Sequence, residues 1–183
     1  LMVALDGTPN RAALGSNALV AVSMAIAHAA AAQQGLPLWR YLATQREDLL
    51  LPLPEIQIFG GGAHAGRRVD VQDFMVIAVG AQDYAQSLDW TAEVYRAAGQ
   101  WMSDAGRLQG VADEGGFWPA FDTNEQALDA LTQSIEQAGF RPGEEVAISL
   151  DIAATDFGQK GRYRLAREQR EVGTEELSAM LLG

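Results

Sequence analysis

Past residue 54 the chain alternates two kinds of segment, and this alternation constrains its fold more than any other feature. Short apolar runs close on glycine or aspartate, and longer runs with helical periodicity separate them. Residues 55–59 end in Gly60-Gly61-Gly62, and residues 69–79 read as a second strand closed by Gly80. Residues 84–105 carry Leu88, Thr91, Tyr95, Ala98 and Met102 on one stripe, widened by Trp90, Val94, Ala97 and Trp101. A further helix opens on Thr123 and Gln126, a capping-box pair, and buries Ala127, Leu128, Leu131 and Ile135 before Gly139 ends it. Residues 146–150, Val-Ala-Ile-Ser-Leu, are nearly continuous in apolar character, as expected of a strand buried on both faces in a parallel sheet. Asp151 stands at the end of that strand, residues 162–165 form a short outlying strand, and Thr174 with Glu176 begins another helix. Strands alternating with helices, with polar groups at strand ends, predict an α/β barrel or a doubly wound sheet.

The first fifty residues differ. Asp6-Gly7-Thr8-Pro9-Asn10 is a turn cluster in which Asp6 and Asn10 shape the chain. Ser16 or Asn17 can cap an alanine-rich helix over residues 17–34, which Gly35 ends before Pro37, and a short helical piece covers 38–43. His28 within the long helix reads as packing. Leu51-Pro52-Leu53-Pro54 suits an extended connector at a domain boundary. Leu1 opens without an initiator Met and Gly183 closes just after an amphipathic start, so the chain is expected to be a piece of something longer.

Composition removes several classes of function. With 24 acids against 13 bases the net charge is −11, which argues against a nucleic-acid partner. The chain has no Cys, so disulfides and thiolate zinc sites are excluded. The longest apolar stretch, near residues 18–32, carries Ser23 and His28 and is too short and too weakly apolar for a membrane span. No basic segment precedes it, so no secretion signal is read there.

Four positions suggest chemistry, each with a plainer reading beside it. His64 lies in the glycine loop of residues 60–66, either a lid residue or an incidental surface histidine. Gln72-Asp73 interrupts an apolar strand, and a charge there needs a partner or a polar cavity unless it lies on a solvated face. Asp113-Glu114-Gly115-Gly116 places adjacent acids in a loop, where they can divide acid and base roles or simply turn the chain. Asp151, just past a strand, occupies a position where barrel enzymes place metal ligands and where Asp also serves as a cap.

Taken together, these segments resemble the enolase (phosphopyruvate hydratase) family over almost the whole chain. Leu5 to Asn10 and Leu14 to Ala18 are similar to the family's LDGTPNK…LGANA passage, and Gly35 to Leu38 and Leu51 to Pro54 to its GLPLY and LPVP segments. Gly61 to Ala65 resembles NGGAHA, Gln72 to Met75 resembles QEFM, Asp113 to Phe117 resembles GDEGGF, and Leu150 to Ala153 resembles LDVA. The resemblance implies an α/β architecture. Residues 1–48 would be the helical end of a small α+β N-terminal domain, and 51–183 the first part of an enolase-type (β/α)8 TIM barrel whose second strand runs antiparallel. It implies dehydration of 2-phosphoglycerate to phosphoenolpyruvate with Mg²⁺, in a cytoplasmic protein that is homo-oligomeric at full length. By position, Asp151 would be a metal ligand, Glu114 the general acid toward the departing hydroxyl, and Asp73 its partner carboxylate. His64 would close over the substrate, a small phosphorylated acid, and Gln72 would line the pocket.

Several departures from the family pattern fall inside this region. The lysine base, the two other metal acids and the N-terminal serine loop have no counterpart in these residues, so the chain alone is expected to be inactive. Asp73 replaces a Glu and is one methylene shorter, Gly60 replaces Asn, Ala112 replaces Gly, Trp118 replaces a small residue, and Ala120 replaces Asn. Arg67 and Arg68 add charge to the lid loop, either as a solvated face or as an altered pocket for a more anionic substrate. The alternatives are a superfamily paralogue acting on a related phosphonate or phosphorylated acid, and a non-catalytic member kept for binding or assembly.

Overall fold

The computed structural model describes residues 1–43 and 49–182, with the side chain of His64 outside the description. The chain divides into two compact units, Leu1–Leu50 and Leu51–Gly183.

The first unit is helical. Helix α1 spans Met2–Asp6, α2 spans Ser16–Gln33 and α3 spans Leu38–Leu42. The turn after α1 is organised by the buried Asp6 carboxylate, which accepts from the Thr8 N–H at 3.1 Å, the Leu14 N–H at 2.7 Å and the Thr8 hydroxyl. Helix α2 ends in the motif that glycine permits. Gly35, at φ +66°, lets its own N–H reach the Ala32 carbonyl and the Leu36 N–H reach that of Ala31, both at 3.0 Å. Alanine supplies the helix propensity of α2, but Ala31 is its one buried residue among those described.

The second unit is built on a mixed sheet. Strand β1 is Glu55–Gly60, β2 Asp73–Ile77, β3 Leu108–Val111, β4 Phe117–Pro119 and β5 Ala147–Asp151, in the spatial order β3-β4-β1-β2-β5. β1 and β2 pair antiparallel, as do β2 with β5 and β3 with β4, while β1 and β4 run parallel. Helix α4, Tyr84–Asp104, and helix α5, Asn124–Gln137, pack on this sheet. Their inward residues Val94, Ala98, Met102, Leu131 and Ile135 join Ile58, Phe59, Phe74 and Val76 in one core. The chain then forms a small antiparallel sheet of β6 (Gly158–Gln159), β7 (Arg162–Leu165) and β8 (Arg170–Gly173), followed by α6 (Thr174–Leu182).

Most of the periodicity reading is realised, with three corrections. The second strand begins only at Asp73, because residues 66–72 make turns and bends that fold the glycine loop back on itself, with Gly62 N–H donating to the Val69 carbonyl at 2.9 Å. Residues 147–151 do form a strand, but β5 is antiparallel to β2 and ends the sheet, so its residues are half-buried rather than enclosed on both faces. In α4, Ser87 takes the inward place read for Leu88, which is 42% exposed.

Candidate functional site

The site lies where β1, β2 and β5 present their ends together. Asp73 and Asp151 are direct cross-strand partners at one end of the β2–β5 ladder. Gln72 spans them, its Nε2 donating to Asp73 Oδ2 at 3.2 Å and to Asp151 Oδ2 at 3.1 Å. Asp151 Oδ1 accepts from the Ala153 N–H at 3.0 Å, which fixes the carboxylate where the chain leaves the strand. Asp73 is buried at 3% exposure, whereas Asp151 is exposed. Two carboxylates on neighbouring strands, one sheltered and one open, therefore share a single amide.

A buried carboxylate needs hydrogen bonds to remain charged. Asp73 receives one from Gln72 and another from Gln57 of β1, whose Nε2 donates to Asp73 Oδ1. Gln57 is itself buried, and its Oε1 accepts from the Gly116 N–H at 2.8 Å. That contact reaches the acid loop. The loop is a tight turn, closed by Ala112 N–H to the Gly116 carbonyl at 2.8 Å and Gly115 N–H to the Ala112 carbonyl at 3.0 Å. Tyr95 of α4 donates its hydroxyl to the Gly115 carbonyl at 2.8 Å and stacks on Phe117 with ring centroids 4.2 Å apart. Burial pushes the Tyr95 phenol above its usual range, so it remains a donor. Glu114 sits exposed at the crest of this turn, free of hydrogen bonds and ion pairs to the described residues.

The glycine loop packs beside these groups. Gly61 donates to the Gln72 carbonyl at 2.6 Å, and Gly62 adopts φ +58°, ψ −153°, a conformation open essentially to glycine alone. His64 lies in the short 3-10 turn Ala63–Ala65 that follows. Its side chain, and with it the position of the expected closing imidazole, lies outside the described residues.

The structure thus joins Gln72, Asp73 and Asp151 directly and ties the loop bearing Glu114 to them through Gln57. Sequence reasoning passed over Gln57 and Tyr95. The signal for Gln57 was available, since it is a polar residue between Ile56 and Ile58, the same anomaly that singled out Gln72-Asp73. The helical stripe marks Tyr95 as core, and only its hydroxyl distinguishes it. The two arginines that follow the glycine loop, Arg67 and Arg68, are both engaged. Arg68 lies 4.9 Å over the Trp118 ring, and Arg67 donates to the Asp156 carbonyl at 3.3 Å.

The donor set is entirely oxygen and amide. Mg²⁺ prefers oxygen ligands and is often held by only one or two carboxylates, the remainder being water and substrate oxygens. An exposed Asp151 next to Asp73 fits that pattern. Among the described residues no cluster of three or more His, Cys, Asp or Glu side chains could hold a metal.

Comparison with known families decides the assignment. Residues 48–181 match the enolase C-terminal TIM barrel domain, which covers well over half the chain. The chain belongs to the enolase family. Residues 1–42 match the enolase N-terminal domain. The mixed sheet with its antiparallel β2 and packed helices is accordingly part of an enolase-type fold, and lyase chemistry of the enolase kind is the function class this family supports. Among the described residues no helix is long and apolar enough to cross a membrane.

Proposed function

We propose that the complete protein dehydrates 2-phosphoglycerate to phosphoenolpyruvate, reversibly, in glycolysis and gluconeogenesis. Residues 51–183 supply the opening part of its barrel, and residues 1–48 the closing helices of its N-terminal domain. The observation that carries this reading is the shared Gln72 amide between Asp73 and Asp151, with the Glu114 loop tied to the same cluster.

Asp151 is the Mg²⁺ ligand in this reading, and the bound ion supplies positive charge opposite the substrate carboxylate. Glu114, exposed and without a side-chain partner among the described residues, delivers a proton to the departing β-hydroxyl. Asp73, buried and tied through Gln57 to the loop that carries Glu114, is its partner carboxylate in this reading. Gln72 orients the two aspartates and lines the pocket, and His64 closes over the substrate. The α-proton must pass to a base contributed by other residues, because the single lysine, Lys160, lies at the turn between β6 and β7. The protein acts as a cytoplasmic homo-oligomer on a small phosphorylated acid.

The departures at Asp73, Trp118 and Arg68 support a second reading, in which the substrate is a related phosphonate or phosphorylated acid. Arg68 stacks on Trp118 next to the glycine loop, which adds bulk and positive charge there relative to a small residue.

The test is steady-state turnover of the complete protein, followed by the absorbance of the enol product. Mg²⁺-dependent turnover of 2-phosphoglycerate is expected, with none from the 183-residue chain alone. Glu114→Gln should lower kcat by about 100-fold or more, the usual worth of a general acid. Inactivity toward 2-phosphoglycerate with turnover of a phosphonate analogue would favour the second reading. Turnover by the isolated chain would contradict the account.

A further inference from the structure

Gln57 is buried in β1, and each atom of its amide is committed to a different part of the site. Nε2 donates to Asp73 on β2, and Oε1 accepts from Gly116 in the acid loop at 2.8 Å. The surroundings are cut to fit this amide. A side chain at Gly116 would place its Cβ inside contact distance of Gln57 Oε1, and one at Gly60 would come within 3.3 Å of Gln57 Nε2. Both flanking positions are thus glycine where the amide passes.

The geometry points to Gln57 as a positioning residue that sets the separation between Asp73 and the loop carrying Glu114. This inference rests on the proposed acid pair. An amide can hold both partners at once because it offers a donor and an acceptor on one rigid plane. A carboxylate in its place would oppose Asp73, and an apolar side chain would take one donor from Asp73 and leave the Gly116 N–H without its acceptor. The span is fixed by the combined length of the two side chains. Asp73 is one methylene shorter than the Glu of the family pattern, and the long Gln57 reaches across to it.

Length complementarity gives a test that mere packing would not satisfy. Gln57→Asn shortens the amide by one methylene, Asp73→Glu lengthens the acid by one, and the double variant keeps the sum. The readout is amide hydrogen exchange of Gly116 in the 183-residue chain, resolved by NMR, with circular dichroism confirming the fold. Each single variant is expected to speed exchange at Gly116 by about fivefold to tenfold, the scale of one hydrogen bond. The double variant should return it to within about twofold of the starting chain, a non-additivity expected of coupled partners. If single variants do not fold, the unaltered chain still decides. Its Gly116 amide must exchange about tenfold or more slowly than that of Glu114, two residues away, whose N–H has no partner among the described residues. Single variants without effect, additive losses in the double variant, or equal exchange at Gly116 and Glu114 would overturn the proposal. Exchange needs neither substrate nor metal, so such a result leaves the proposed reaction standing, and failed turnover leaves the Gln57 link standing.

Discussion

At the scale of single residues, the departures from the family pattern are correlated through space. Gly60 stands where the pattern has Asn, and Ala112 where it has Gly. A Cβ at Gly60 would lie 2.6 Å from the Ala112 Cβ, so the methyl gained at one position requires its loss at the other. Trp118 is accommodated in the same manner. A Cβ at Gly66 would lie 2.7 Å from the Trp118 ring, and Arg68 covers that ring. Charge at this scale sets the response to acid. Hydrogen bonds from the Leu14 N–H, then the Thr8 hydroxyl, hold the Asp6 carboxyl below its ordinary value of 3.8. The Arg141 backbone N–H and guanidinium do the same for Glu145, whose ordinary value is 4.5. A carboxyl depressed in the folded state binds its proton more readily when unfolded. Its stabilisation is complete above the unfolded value and is lost as pH falls through the folded one. Urea midpoints are therefore expected to decline below about pH 4, and Asp6→Asn should flatten that decline. An unchanged pH profile in the variant would remove Asp6 from the account.

At the scale of elements, the helices are defined by their caps as much as by their stripes. Asp83 accepts the Gln86 N–H at 2.8 Å to start α4, and Thr123 accepts the Gln126 N–H at 3.2 Å to start α5. Gln126 returns the bond to Asp122 N–H at 3.2 Å, one residue earlier than a capping box would place it. Thr123→Ala should cost about 1 kcal/mol in urea unfolding, and Thr123→Ser much less. Equal losses would mean that the threonine methyl, not its hydroxyl, matters. The caps and the long helical periods were legible in the sequence because both are local. The strands were legible in proportion to their length and neighbours. β3 went unseen because Gly110 breaks its four residues, and β4 because Phe117-Trp118-Pro119 is too short to show a period. β5 was placed to within a residue, but its edge position and antiparallel pairing depend on β2, some seventy residues away. The site shows the same division. Asp73, Glu114 and Asp151 could be singled out by local context, whereas Gln57 and Tyr95 gain their roles only when β1 and α4 meet the acid loop.

At the scale of the molecule, apolar surface is left uncovered. Val20, Val22, Met24 and Ile26 of α2 are all close to half exposed or more, and β5 is an edge strand. Such surface favours association. Sedimentation of the 183-residue chain should show a concentration-dependent rise above the monomer, and substitution of Val22 and Ile26 by Lys should reduce it. A monomer at all concentrations would mean that this surface is tolerated in water. The central claim concerns the carboxylates. Its most direct test is a crystal structure of the full-length protein with Mg²⁺ and 2-phosphoglycerate. The account predicts an Asp151 oxygen about 2.1 Å from the ion, with the Glu114 carboxyl facing the substrate hydroxyl in the same cavity. Glu114 and Asp151 turned toward separate cavities, or an ion bound without Asp151, would contradict it.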